Sequence, residues 1–164
     1  MIVIADTTRL HYLVLIDHAQ ILSALYGKVI IPDAVRRELQ AQRTPDAVKV
    51  WLASPPPWIE VRYVTVVEDP SLRRLDPGER EAITLAEALR ADALVMDDRA
   101  GRREAERRGL RVIGTLRVLY DAAEAGLLDL TESLEALRRS GFYIDPRQSE
   151  ELLTRRKKKG ARNG

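Results

Sequence analysis

Short apolar runs alternate with helical periodicity along this chain. Ile2–Ala5, Val29–Ile31, Ile59–Val64, Ala93–Met96 and Arg111–Ile113 are bounded by turn or capping residues, as strands buried on both faces are. Between them the apolar positions recur every three or four residues. "HAQILSALYG" sets Ile21, Leu22 and Leu25 on one face and stops at Gly27. "PDAVRRELQAQ" opens on a proline, which the first helical turn accepts. "DPGEREAITLAEALRA" carries Ile83, Leu85, Ala86 and Leu89 as its stripe, "DDRAGRREAERRG" stops at Gly109, and "TLRVLYDAAEAG" stops at Gly126. Strands separated by helices predict βαβ units. The expected class is therefore α/β: three layers, α/β/α, around a central, mainly parallel sheet. "ASPPPW" (53–58) is the one clear internal loop, since three prolines cannot continue a helix.

Composition narrows this picture without changing it. The 164 residues are 45% hydrophobic and 32% charged, ordinary for one globular domain. No apolar stretch approaches the roughly 20 residues a membrane span needs, and the start lacks the pattern of a signal peptide. The expectation is a soluble, cytoplasmic protein with no membrane partner. Cysteine is absent, which removes disulfides, thiolate chemistry and cysteine-based zinc sites. The net charge of +2 is uneven: the last ten residues carry six positive charges and no acid, leaving −4 over residues 1–154. Residues 1–145 read as the domain, and 146–164 as a helix end followed by a basic tail with too little apolar content to pack, expected to be disordered.

Where the strands end, acids appear. Asp6 follows the first run, and Asp97 and Asp98 follow the fourth. Ligands of open parallel sheets gather beyond such C-terminal strand ends. Each acid also has a structural reading. Asp6 and one of the Asp97–Asp98 pair suit helix caps, Glu79 completes a capping box with Asp76, and Glu38 suits a solvated helix. Taken together, Asp6, Glu38, Glu79 and Asp98 occupy corresponding places in successive βα units. Carboxylates gathered so repel one another unless a cation joins them. Hard oxygen ligands suit Mg²⁺ or Mn²⁺, and such an ion activates water and stabilises charge on a phosphoryl oxygen. Rival chemistries lack their motifs. There is no GxxxxGK[ST] or GxGxxG loop and no G-x-S-x-G elbow. His11 and His18 read as structural, and a phosphoaspartyl enzyme would want an acid where Thr8 stands.

With these blocks in view, the sequence resembles the PIN-domain proteins, the nuclease fold of VapC-type toxins in toxin–antitoxin pairs. "IADTTRLHYL" is similar to the family's opening block and "VIIPDAVRREL" to its second. "LDPGEREAITLAEAL" and "LVMDDRAGRREAERRGLRVIGTLRVL" resemble a branch long described only as predicted nucleic-acid-binding, and "LEALRRSGFYID" fits the same branch. The resemblance spans about residues 1–145. It implies that Asp6, Glu38, Glu79 and Asp98 are the catalytic and metal-holding acids. Asp97 stands as alternate or partner, Glu81 competes with Glu79 for the third position, and the Thr8 hydroxyl supports the site. Arg9 stands where a small residue or proline is expected. It also implies Mg²⁺- or Mn²⁺-dependent RNA cleavage by a toxin that works as a homodimer and is silenced by a cognate antitoxin.

Arg99, Arg103 and Arg107, spaced four apart, share a helix face that begins at these acids and suits an RNA backbone; Glu104 and Glu106 equally suit a solvated ion-pair helix. Tyr26, Trp51 and Trp58 read as packing residues. The alternative function is a catalytically idle PIN-fold module that binds nucleic acid or a partner protein.

Overall fold

The computed structural model describes residues 1–41 and 43–163, with backbone only for residues 7–9. Thr8 and Arg9 therefore have side chains outside the described residues. Five strands form one parallel sheet: β1 (Val3–Ala5), β2 (Val29–Pro32), β3 (Ile59–Arg62), β4 (Ala93–Val95) and β5 (Val112–Ile113), in the order β3-β2-β1-β4-β5. β1 is central, with Ile4 aligned to Ile30 on one side and to Leu94 on the other. β3 stops two residues earlier than the apolar run predicts. Its neighbour β2 ends at Pro32, opposite Arg62, and the chain turns there into a helix, leaving Tyr63 exposed.

Strand alternation sorts the core into two faces. Val3, Ala5, Val29, Ile31 and Val95 point to one side. There they meet α1 (Thr7–Leu15), α2 (Gln20–Tyr26), α3 (Asp33–Leu39), α4 (Asp46–Ala53), α7 (Thr115–Glu124) and α8 (Leu130–Arg139) through residues such as Leu13, Leu22, Leu39, Leu52, Leu119 and Leu137. Ile4, Ile30 and Leu94 point to the other side. They are covered by α5 (Pro77–Ala88) and α6 (Arg99–Arg107), with Leu72 and Leu75 from the segment before α5. The expected three-layer α/β/α arrangement is thus present, and every strand pairing is parallel.

The order of strands determines where a ligand can sit. From β1 the chain builds outward through β2 to β3, then crosses back over β1 through α5 to reach β4. The reversal opens a crevice beyond the C-terminal ends of β1 and β4, where such sheets bind ligands. The crossover is held by an ion-pair network. Arg108, at the end of α6, donates to Glu104 at 2.7 Å, to Glu87 of α5 at 3.1 Å and to Asp69 at 2.6 Å, and also to Ser71 at 2.8 Å. These bonds hold the Asp69 and Glu104 carboxyls well below the usual carboxylate range, the first through Ser71 and Arg108, the second through Arg107 and Arg108.

The C-terminal segment departs from expectation. The expected helix end continues as α9 (Pro146–Arg162), which takes in the basic stretch 155–159 read from the sequence as tail. Leu152 and Leu153 pack against the main core and Ser149 is buried. Arg156 and Lys159 reach Glu124 of α7 at 3.7 and 2.7 Å. Two leucines in an otherwise polar run are a weak periodic signal, yet together with a proline start and an aspartate cap at Asp145 they suffice to dock a helix.

Removing residues 146–164 is accordingly expected to lower the urea unfolding free energy by roughly 2–4 kcal/mol, the scale of two partly buried leucines. An unchanged unfolding midpoint would show that α9 contributes nothing to the folded body.

Candidate functional site: carboxylates at the sheet reversal

Asp6 leaves β1 with its backbone N–H donated to Val95 O at 3.0 Å, so the ends of β1 and β4 are fastened together. Its side chain is only 3% exposed. From β4 the chain passes through buried Met96 and half-buried Asp97 to exposed Asp98, the N-cap of α6, whose Oδ2 accepts from Gly101 N at 2.9 Å. Above both ends lies the first turn of α5. Its capping box is formed: Glu79 N donates to Asp76 Oδ1 at 2.9 Å, and Glu79 Oε2 accepts from Asp76 N at 3.3 Å.

Glu79 is therefore a cap, and it is also more than a cap. It is buried, at 7% exposure, and its pKa is pushed up to about 8. Burial is the largest cause, followed by the negative charges of Asp76, Asp98 and Asp6, against a weaker lowering by the backbone bond from Asp76. Three of the four acids singled out in the sequence thus feel one another at this place. Gly101 makes the approach possible: a Cβ there would sit 2.6 Å from Met96 Sδ and 3.6 Å from both Asp98 Oδ2 and Glu79 Cδ. The fourth acid, Glu38, stands in the last turn of α3, half-buried, and its Oε1 accepts from Gly78 N at 3.0 Å, one residue before Glu79.

The remaining acids serve elsewhere. Glu81 accepts from Ala34 N at 3.2 Å and pairs with Arg37 at 3.2 Å, which ties α5 to the start of α3. Asp97 turns to α7: its carboxylate accepts from the Thr115 hydroxyl at 2.7 Å and from Thr115 N at 3.1 Å. Gly114 leaves room for that tie, since a Cβ there would meet Asp97 Oδ1 at 2.6 Å and Arg102 Nη1 at 2.8 Å. Among the histidines, His18 faces Ser133 at 3.4 Å and His11 lies against Tyr12 with the rings tilted by 45° and its pKa lowered by burial, both structural placements.

A divalent cation suits this donor set by its chemistry. The ligands offered are hard carboxylate oxygens, and the raised Glu79 marks a place short of positive charge. Among the described residues, however, no three such groups converge as closely as bound-metal geometry requires. Glu79 and Glu38 are drawn back onto the N–H groups of residues 76 and 78.

Arg99 and Arg103 line a groove beside the site together with Arg102, whereas Arg107 turns away to Glu104 at 2.6 Å. Spacing by fours alone misses Arg102. It sits three after Arg99, and steps of three and four together define the helix face. Trp51 and Trp58 pack against each other with ring centroids 5.9 Å apart, and Tyr26 is also packed on the core.

A family model described as a PIN domain matches residues 2–158. Among solved structures, a PilT N-terminus domain protein from the hyperthermophilic archaeon Sulfolobus solfataricus P2 is similar over 82% of this chain and 95% of its own, with a TM-score of 0.53 and 19% identity. That likeness speaks to the fold. No curated protein matches.

Two outcomes are expected from the geometry alone. Glu79 holds its proton more tightly folded than unfolded, so the metal-free chain should lose stability as pH rises from its ordinary value of 4.5 toward about 8. Glu79→Gln should flatten that slope in urea titrations run across the window; parallel slopes in the two proteins would refute the account. Asp97→Ala, which removes the carboxylate bonded by the hydroxyl and N–H of fully buried Thr115, should cost about 1–3 kcal/mol. A change within error would mean that Thr115 finds another partner.

Proposed function

Because the chain belongs to the PIN-domain family, whose fold is of the nuclease type, we propose that it is a Mg²⁺- or Mn²⁺-dependent endoribonuclease, the toxin component of a toxin–antitoxin pair. One observation carries this reading: at the crevice where the sheet reverses, Asp98 and buried Glu79 close on the bare Cα of Gly101, where a Cβ would sit 3.6 Å from each, with buried Asp6 at the end of β1. Carboxylates are crowded there at a cost to the fold, which a cation-dependent activity explains and helix capping alone does not. The RNA substrate, the antitoxin, a homodimeric state and a cytoplasmic location belong to the same proposal. Among the described residues no helix is long and apolar enough to cross a membrane.

In this mechanism Asp6, Glu79 and Asp98, with Glu38 beside them, would hold the ion. When bound, it supplies positive charge that acidifies a water and stabilises a phosphoryl oxygen. The main chain at Asp6 is fixed by its N–H bond to Val95 O of β4. Asp98 is fixed by its bond to Gly101 N. Glu79, pushed up to about 8, would hold a proton at its carboxyl near neutral pH and would have to release it to serve as a ligand. Arg99, the first residue after Asp98, is placed to take a phosphate of the substrate.

A second reading has its own observation. Among the described residues no three acids meet at ligating distance, which favours an idle PIN-fold module that binds nucleic acid without cutting it.

RNA cleavage by the purified chain in Mg²⁺, Mn²⁺ or EDTA separates the two. Metal-dependent cleavage that falls at least about a hundredfold in Asp6→Asn, with a rise in melting temperature on metal addition that Asp6→Asn loses, supports the nuclease. Glu81→Gln should keep cleavage and lower stability, since its bonds go to Ala34 and Arg37. Absence of both cleavage and metal stabilisation would overturn the enzyme and leave the binding module.

A further inference from the structure

The nine cations and five acids that line two adjoining clefts set this side of the molecule apart from a body that is otherwise acidic. The first cleft, of about 1240 Å³, starts at the β4–α6 junction with Asp97 and Arg99, and runs between α6, α7 and α9. The second, of about 840 Å³, continues between α7 and α9 to Lys158 and Arg162. Arg117, Glu151 and Arg155 line both, so the two are one trough.

Helical geometry accounts for the alignment. On α9, residues 147, 151, 155, 158 and 162 are spaced by four, four, three and four, which is one face. The rest of α9 is committed to the core through Leu152 and Leu153 and to Glu124 through Arg156 and Lys159, with Leu152 and Lys159 at the edge of the trough. The cationic face is therefore fixed in rotation toward the trough. Two of the five acids are engaged with backbone N–H groups: Asp97 with Thr115 and Asp145 as the cap of α9. None of the described ion pairs uses Arg99, Arg103, Arg155 or Lys158.

An aromatic ring stands in the same trough. Tyr143 is 82% exposed, although its neighbours Phe142 and Ile144 are tied down, Phe142 by an edge-on contact with Tyr12 at 5.1 Å and Ile144 by burial. The ring is held out on a firm mount, beside guanidinium groups, with open space to receive a flat partner. Unpaired cations spaced along a trough suit a phosphate backbone, and a mounted exposed ring suits an unpaired base. A duplex hides its base faces and would leave Tyr143 without use.

We propose that this trough binds a single RNA strand, running past Arg99 and Tyr143 and out along the Arg155–Lys158–Arg162 face of α9. The inference rests on the nuclease reading for its choice of RNA, and what it adds is a binding track on α6, α7 and α9 apart from the residues at the cut.

The test uses the full chain in EDTA, so that nothing is cleaved, and fluorescence anisotropy with a labelled unstructured RNA of about 20 nucleotides, a size chosen to span more than one binding unit. The variants are Arg155→Gln with Lys158→Gln, Tyr143→Ala, and Arg73→Gln as a control outside the trough. The double variant is expected to bind roughly tenfold more weakly, with the slope of log affinity against log salt smaller by about 1.4. Tyr143→Ala should also weaken binding roughly tenfold, and Arg73→Gln should match the parent. In Mg²⁺ or Mn²⁺ the double variant should raise KM and leave kcat unchanged. Equal affinity in all variants overturns the trough, as does a duplex RNA or poly-glutamate competing as well as the single strand. If the parent cleaves and the variants keep its KM, the trough fails and the nuclease stands. If the variants lose binding but no protein ever cleaves, the trough stands and the nuclease fails.

Discussion

Like charges are held together at the C-terminal ends of β1 and β4, and the architecture around them supplies what that requires. Asp6, Glu79 and Asp98 come from three separate elements, so no local segment can assemble them. The parallel register of β1 with β4 sets the first and last side by side, and the crossover through α5 brings the second over both. In solution the unfolded chain keeps these acids apart and hydrated. Folding brings them together and removes water from Glu79, which is why its proton is held so firmly.

The same acids also finish helices, and the two roles support each other. Asp76 and Glu79 satisfy each other's N–H groups at the start of α5, and Asp98 satisfies Gly101 N at the start of α6. A helix N-terminus favours negative charge, so part of the repulsion is offset by the dipoles of the helices that carry it. Capping fixes each carboxylate in direction before any ligand arrives. Asp97 shows the other outcome. One position earlier on the chain, it faces the opposite way and becomes a fastening for α7.

The fold is largely legible in the sequence because its signals are local. All five strands are marked by apolar runs ending in turn or cap residues, and five helices by periodicity closed with glycine or opened with proline. Boundaries slip where a neighbour decides them, as at Tyr63, which lies outside β3 because Pro32 ends the partner strand. α9 is hard to read because its composition is that of a solvated tail, and only Glu124 and the core beneath Leu152 and Leu153 make it a helix with a place. In the site, residue types at strand ends point to Asp6 and Asp98, and the first turn of the α5 pattern to Glu79. The division of labour between Asp97 and Asp98, or between Glu79 and Glu81, is not legible. Neighbours in sequence differ there only in which distant group each one meets, Thr115 or Gly101, Ala34 or Asp76.

The bonds that Arg108 makes to Glu104, Glu87, Asp69 and Ser71 join the end of α6 to α5 and to the segment leading into it. Ionic networks of this kind become relatively more favourable on warming, because the hydration they give up is worth less at high temperature. The seam between α5 and α6 thus keeps its grip on warming better than apolar contacts alone would. The carboxylate site, built on the first turns of those two helices, inherits that resistance. On heating, the frame that sets Glu79 against Asp98 should come apart after segments that depend on apolar contacts alone, so thermal loss of the site and loss of the whole fold should coincide.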